Sequence, residues 1–338
     1  ILTILGLEEQ RYSEMLRAGE AAVRTALKGV LADATEVDDT ILFQLAETRG
    51  LHPDMAVGIA RGRGWSNLSV RVGFSADMAA RHAAQAKAAA GAKGSSGILS
   101  DGHGIPATAC EFYADTTKTR FAAQVLHCQS LTEAQVAALD LSAEVSGSPS
   151  HAIVLDRTLF YPDGGGQLGD QGRLSNGATV NVLDTRVEGE VILHLTDGEL
   201  PSGAVSGDVA WNRRKQLMDH HTAVHIVGGS AREVLGPHIW QAGSNKGARY
   251  ARLDITHHSR LSREVLDTIE DRANEIVEAN PRIEKLVMDR ADADATFGFD
   301  IYQGGPPKHS QIRIIKIGDY DTQACGGTHH DAAGEVGE

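Results

Sequence analysis

Two short segments, far apart in the chain, restrict its fold more than any other feature: MDHHTAVH (218–225) and DTQACGGTHH (321–330). In the first, His221 and His225 stand at i and i+4, so on a helix both imidazoles share one face, with their roots about 6 Å apart. Leu217, Gly228 and Leu235 lie on the same face, which therefore points inward. Two buried imidazoles need partners, and either a shared metal ion or a core hydrogen-bond network supplies them. His221 is preferred to His220 because it alone has an i+4 partner. In the second segment, glycines let the backbone bend until Cys325 and His329 converge, directly after the apolar run QIRIIKI (311–317). The alternative is a buried cysteine beside an unrelated exposed histidine. If the halves meet, one sulfur and three imidazole nitrogens form a donor set suited to tetrahedral zinc, Zn2+.

The length, 338 residues, allows two or three domains. No apolar run approaches the ~20 residues that span a bilayer, so no membrane partner is expected. The start, ILTILGLEEQRYSEM, lacks the basic opening of a signal peptide. The chain begins without Met and runs out in GEVGE, which suggests a piece of something longer. Cys110, Cys128 and Cys325 give no even disulfide framework, which favours a reducing, cytoplasmic setting. A net charge of −13 opposes indiscriminate adhesion to nucleic acid, so any RNA must be met through local basic patches.

The spacing predicts a multidomain α+β chain. Residues 7–28 carry Tyr12, Met15, Leu16, Val23, Ala26 and Leu27 at helical intervals. Two short helices are expected in 38–61, another in 76–90, and then a flexible link, GAKGSSG (91–97). Together 1–95 read as a helical domain. From 96 to 207 short strands with Gly and Pro punctuation predict a small Gly-rich β-barrel: FAAQVLHC (121–128), HAIVLDRTLFY (151–161), ATVNVLDTRV (178–187) and VILHL (191–195). From 208 to 338 the pattern becomes a two-layer α/β domain. A helix is expected over roughly 208–235 and a second from the N-cap Ser262 to Pro281. Strands are expected at 285–289 and 311–317.

MDHHTAVHIVGGSAREVLG, QAGSNKG, DTQACGGTHH and FYPDGGGQLGDQG, with this order and spacing, resemble the editing domain of alanyl-tRNA synthetase, found also in AlaX-type proteins and more distantly in threonyl-tRNA synthetase. FGFDIYQGG (297–305) is similar to the archaeal type, and the helical start resembles the tRNA-recognition region that precedes editing. The family spacing is what selects His329 over His330. No class II adenylation motif and no P-loop is found, so the resemblance implies an internal portion with the ATP-dependent domain upstream of Ile1.

That resemblance implies tRNA(Ala) as partner and hydrolysis of tRNA(Ala) mischarged with serine or glycine. No other protein partner is evident. An alanine site cannot exclude glycine by size and rejects a small hydroxyl analogue poorly, about 10–200-fold, so a second hydrolytic site is needed. The resemblance also implies a pocket role for Gln167, although after Gly164-Gly165-Gly166 a tight turn is the simpler reading. Asp163 and Asp170 flank it as a base or as turn formers. Where the family commonly has a threonine that senses serine, this chain has Val224; Thr222 is the candidate to compensate. Arg213, Arg214, Lys215, Lys246 and Arg249, with Arg252, are candidate phosphate contacts or solvated surface cations. Arg11, Arg17, Arg24 and Lys28 permit a further basic stripe. Four protein ligands imply a zinc that fixes the pocket; the competing role is activation of water at an opened position. A noncatalytic, zinc-stabilised tRNA-binding module is the alternative function. An unrelated metallohydrolase is weaker, because HTAVH lacks the glutamate of H-E-x-x-H.

Overall fold

The structure is a computed structural model that describes residues 6, 14, 17–28, 30–31, 33–49, 51, 53–71, 74, 97–99, 104–303 and 310–337. The expected helix at 76–90, most of the 91–97 link, Arg11 and the glycines at 304–305 lie outside these residues. The chain divides into two compact units, 1–95 and 96–338. The boundary expected near 207 therefore falls inside the second unit. Among the described residues no helix is long and apolar enough to cross a membrane.

In the first unit residues 17–26 are helical, followed by α1 (Asp39–Arg49) and α2 (Pro53–Arg61). They close over Val23, Leu27, Leu42, Leu45, Leu51, Val57 and Phe74. Arg17, Arg24 and Lys28 are exposed.

The second unit opens with β1 (Ala109–Cys110), β2 (Arg120–Ser130) and a short helix α3 (Glu133–Ala138). Next come β3 (His151–Leu155), β4 (Arg157–Thr158), β5 (Gly172–Ser175), β6 (Thr179–Glu188), β7 (Val191–Thr196) and β8 (Gly203–Val209). Six of these strands form a closed antiparallel barrel in the order β2-β3-β7-β6-β5-β8. Alternation over the first half of β2, before the register shift between Val125 and His127, puts Phe121, Ala123 and Val125 inside with Ile153, Leu174, Val182 and Val205. Closure leaves no unpaired edge on this sheet. It also corrects the helix start: Asp208 and Val209 complete β8, pairing with Arg173 and Gly172, so helix α4 is Trp211–Leu235.

After α4 come two strands that the sequence reading missed, β9 (Gln241–Lys246) and β10 (Ala251–Ile255), paired with each other. Helix α5 (Arg263–Ala279) starts at Ser262, whose side chain accepts from Val265 N, and ends at Asn280 in the left-handed conformation before Pro281. Then β11 (Ile283–Asp289), a helix α6 (Arg290–Phe297), β12 (Gln311–Ile317) and β13 (Asp321–Ala324) follow; the three strands form one antiparallel sheet. Ile226 of α4, Ala273 and Ile276 of α5, and Ile283, Ile315 and Ile317 of the sheet share one core, which makes the two layers.

Arg214 joins α4 to the barrel side and is fully buried. Its Nε donates to both carboxylate oxygens of Asp170 at 3.1 and 2.9 Å, Nη1 donates to Thr116 O at 2.9 Å, and Nη2 donates to Leu159 O at 2.6 Å. Asp170 Oδ2 also accepts from Tyr161 N at 2.6 Å. A guanidinium satisfied in this way has no surface to offer a phosphate, so Arg214 is corrected from RNA contact to fold anchor. Arg214→Met strands a buried carboxylate and is expected to cost about 3–5 kcal/mol in a denaturant titration. Adding Asp170→Leu removes the stranded charge and should restore part of that loss, the rest staying with Thr116 O, Leu159 O and Tyr161 N, which lose their partners; a full cost retained in the double variant would show that the stranded charge is not its source.

Candidate functional site

The donor atoms of His221, His225, Cys325 and His329 all lie within 4.8 Å of one another. Cys325 Sγ is 3.3 Å from His221 Nε2 and 3.4 Å from His329 Nε2. The ring centroids of His221, His225 and His329 are 4.4 to 5.5 Å apart. All three imidazoles are buried. The doubled histidines are occupied elsewhere: His220 Nδ1 bonds Gly247 O at 2.6 Å, and His330 Nε2 meets Asp219 Oδ1 at 2.6 Å.

Helix α4 supplies the first pair, and the turn after β13 supplies the second. The key glycine in that turn is Gly327, and its role is space. A Cβ there would lie 2.0 Å from His221 Cε1 and 2.2 Å from His221 Nδ1. Any side chain at 327 would displace the imidazole.

Each imidazole is backed by an oxygen. His221 Nδ1 is 2.6 Å from Gln167 Oε1, His329 Nδ1 is 3.1 Å from Thr222 Oγ1, and His225 Nδ1 is 3.6 Å from Asp321 Oδ2. For His221 and His329 this leaves Nε2 facing the sulfur. Oxygen partners on the outer nitrogens are what fix ring orientation in metal centres. Burial opposes a thiolate at Cys325, yet the three imidazoles hold its pKa well below the ordinary thiol value. Burial pushes His221 down to about 4 and His329 well below the usual imidazole range, so both are neutral donors. Burial also works against a charge on His225, but Cys325 and Asp321 outweigh it and raise its pKa to about 9. Cys325 as thiolate with His221 and His329 neutral is already in ligand form, and a metal ion would have to displace the proton of His225; with that done, the sulfur and three imidazole nitrogens fit a soft-to-borderline ion.

His221, His225 and Cys325 open onto a cavity of ≈ 510 Å³ whose other lining residues include Tyr113, Asp163, Lys246, Arg313 and Gln323. A larger hollow of ≈ 820 Å³ lies around Thr119, Arg173 and Asp197 on the barrel, but none of the four donors reaches it. The smaller cavity is therefore the candidate site. Its far wall is the loop expected from PDGGGQLGDQG. Gly166, at φ +79°, passes so close to β9 that a Cβ would sit 2.5 Å from Ser244 O. Lys246 N donates to Gly166 O at 2.7 Å, and Leu168 N donates to Lys246 O at 3.1 Å.

Several candidate residues occupy other places than expected. Gln167 is fully buried and does not line the cavity. Its Oε1 also accepts from Thr328 N at 3.1 Å, and its Nε2 donates to Thr328 Oγ1 at 2.9 Å. It ties the barrel loop to the Cys-His turn. Thr222 is equally buried, and its hydroxyl faces His329, so it cannot replace a serine-sensing hydroxyl in the cavity. Val224 lines a small crevice with Gln241, Gln303 and Gln323, three amides that also line the cavity. Lys246 is buried at the cavity, with Nζ donating to Gly165 O at 2.8 Å and Ser244 Oγ at 2.7 Å; burial lowers its pKa. Arg213 is half-buried against Glu144 at 2.9 Å, and Lys215 pairs with Asp219 at 2.8 Å. Arg249 is exposed.

Sequence reasoning missed Arg313 and Tyr113. Arg313 Nη1 donates to Cys325 O at 3.1 Å and Gly327 O at 2.7 Å, which clamps the turn. Its guanidinium carbon lies 4.7 Å from the Tyr113 ring centroid, and its Nη2 is buried without a hydrogen-bond partner. The signal was one arginine inside the apolar run QIRIIKI.

Comparison with known proteins places the chain in a class. Residues 1–212 match the family model described as tRNA synthetases class II (A), and 312–338 match the threonyl and alanyl tRNA synthetase second additional domain. The chain is thus a class II aminoacyl-tRNA synthetase sequence. It is 37% identical over its whole length to an alanine–tRNA ligase of Halorubrum lacusprofundi, of which it covers 34%. It is 36% identical to that of Pyrobaculum neutrophilum and 38% identical to that of Hyperthermus butylicus, again over all of this chain and covering 36% and 35% of theirs. The chain belongs to the alanyl-tRNA synthetase family, and it spans about a third of the length of the curated relatives it matches.

If Gln167 orients His221, Gln167→Ala should weaken Zn2+ binding about 10–100-fold, the usual loss when an outer partner is removed. Competition with a chromophoric chelator measures this; an unchanged affinity would show that His221 is held by packing alone.

Proposed function

We propose that this chain carries the hydrolytic editing site of an alanine–tRNA ligase, which deacylates tRNA(Ala) bearing serine or glycine. The observation that carries the reading is the convergence of His221, His225, Cys325 and His329, the first three of which open onto a cavity that also holds a carboxylate and two cations. The setting expected for such an activity is the cytoplasm, and the partner is the aminoacylated acceptor end of tRNA(Ala).

The four donors would hold Zn2+, which, with a full set of protein ligands, supplies a fixed charge and a rigid frame. The chain's own groups then divide the work. Asp163 lines the cavity, and burial raises its pKa, opposed in part by Arg186 at 3.4 Å. A carboxylate of raised basicity can accept a proton from a water attacking the ester carbonyl. Lys246 and Arg313 bring positive charge to the cavity in which the carbonyl oxygen becomes negative. Gln167 and Thr222 act through the imidazoles as positioning residues. Arg213, Lys215 and Arg249 remain candidates for phosphates of the acceptor stem. Arg249 is the most accessible of them.

Deacylation of Ser-tRNA(Ala) tests the reading. Asp163→Asn should lower the rate constant at least 10²-fold, within the range of general-base losses, while zinc content and tRNA affinity stay as in the parent. Parent protein that binds tRNA(Ala) and zinc but releases no serine would instead be a binding module stapled by its metal.

Val224 stands behind the amide wall, and substitution there should alter selectivity more than rate. Val224→Thr is expected to raise the ratio of serine to alanine release, read from parallel assays on Ser-, Gly- and Ala-tRNA(Ala). An unchanged ratio would remove Val224 from substrate discrimination.

A further inference from the structure

A second group of imidazoles lies beyond the end of α4, away from the cavity. The donor atoms of His238, His257 and His258 all fall within 4.8 Å of one another. His238 Nε2 is 3.0 Å from His257 Nδ1. The ring centroids are 5.2 Å apart for 238 and 257, 6.0 Å for 238 and 258, and 4.3 Å for 257 and 258. Helix α4 runs ten residues from His225 to Leu235, about 15 Å of rise, so this group is separate from the Cys-His₃ cluster.

The arrangement is built rather than accidental. Two segments carry it, and Thr256 joins them. Its Oγ1 donates to His238 O at 2.8 Å and accepts from Trp240 N at 2.8 Å, while its own N–H donates to Trp240 O at 2.9 Å. The neighbouring side chains Ile239 and Ile255 are rooted in one apolar cluster with Ala231 and Ile269. The backbones under the histidines are therefore fixed before any ligand arrives. His238 is exposed, and His257 and His258 are half-buried, so the ring nitrogens stand where an ion from solvent can reach them.

We infer that His238, His257 and His258 form a second metal site, which binds a divalent transition ion such as Zn2+, Co2+ or Ni2+ through three imidazole nitrogens and leaves the remaining coordination to water. Imidazole donors suit these ions, whereas Mg2+ and Ca2+ prefer oxygen. The site differs in kind from the Cys-His₃ cluster: it has no sulfur, it lies at the surface, and it is open.

Co2+ titration of the full metal-free chain separates the two, because a thiolate ligand adds an ultraviolet charge-transfer band and imidazoles do not. The parent should bind two Co2+ per chain, one step with that band and one without. His238→Gln with His258→Gln should remove the second step alone, and retention of the thiolate band shows that the variant is folded. Thr256→Val, which keeps all three imidazoles and releases their backbones, should weaken the second step at least tenfold. A parent that binds one ion with the thiolate band, or a double variant that still binds two, overturns the inference, as does a Thr256→Val affinity equal to the parent's. A parent that binds one ion without the band, lost in the double variant, would support this site while refuting metal binding at Cys325.

Discussion

The second unit is organised around a thiolate placed among three imidazoles in a medium that solvates none of them. Burial alone would protonate Cys325, and burial alone would expel protons from the histidines. Each group is tolerable because the others are there. The shell behind them then becomes necessary: Gln167 and Thr222 fix which nitrogen of His221 and His329 faces the sulfur, and the Asp321 carboxylate, 3.6 Å from His225 Nδ1, sets a negative charge behind the third ring. Those three come from the barrel loop, the helix and the sheet, so all parts of the unit must be in place for one cluster to be satisfied.

Much of this was legible in the sequence because it is written in short spacings. The i, i+4 pair on α4 and the four-residue Cys-His step need no knowledge of distant partners, and neither does the apolar run at 121–128 that reads as a strand. What escaped was non-local. Asp170 reads as a turn former, yet it holds Arg214, 44 residues away. Gln167 reads as a pocket amide, but its partners are His221 and Thr328. The start of α4 was misplaced because barrel closure claims Asp208 and Val209 for a strand, a demand set by register with β5 rather than by local pattern.

The charged residues show why a basic run is a poor guide to a nucleic-acid surface. Arg213, Arg214 and Lys215 are consecutive, yet on a helix they point about 100° apart and meet three different environments: Glu144, a sealed pocket around Asp170, and Asp219. Arg313, hidden among isoleucines, has more to do with the cavity than any of them. Its guanidinium bonds two carbonyls of the Cys-His turn and stacks under Tyr113.

The contact between Gly166 and Ser244 has an architectural consequence. Main-chain bonds between the triple-glycine loop and β9 make the barrel one wall of the cavity and the strand after the histidine helix another. Neither half can shift without dragging its neighbour. What the cavity can admit is then set by the side chains that project from these walls, because a residue inserted between Gly166 and Leu168 would break the main-chain bonds to Lys246.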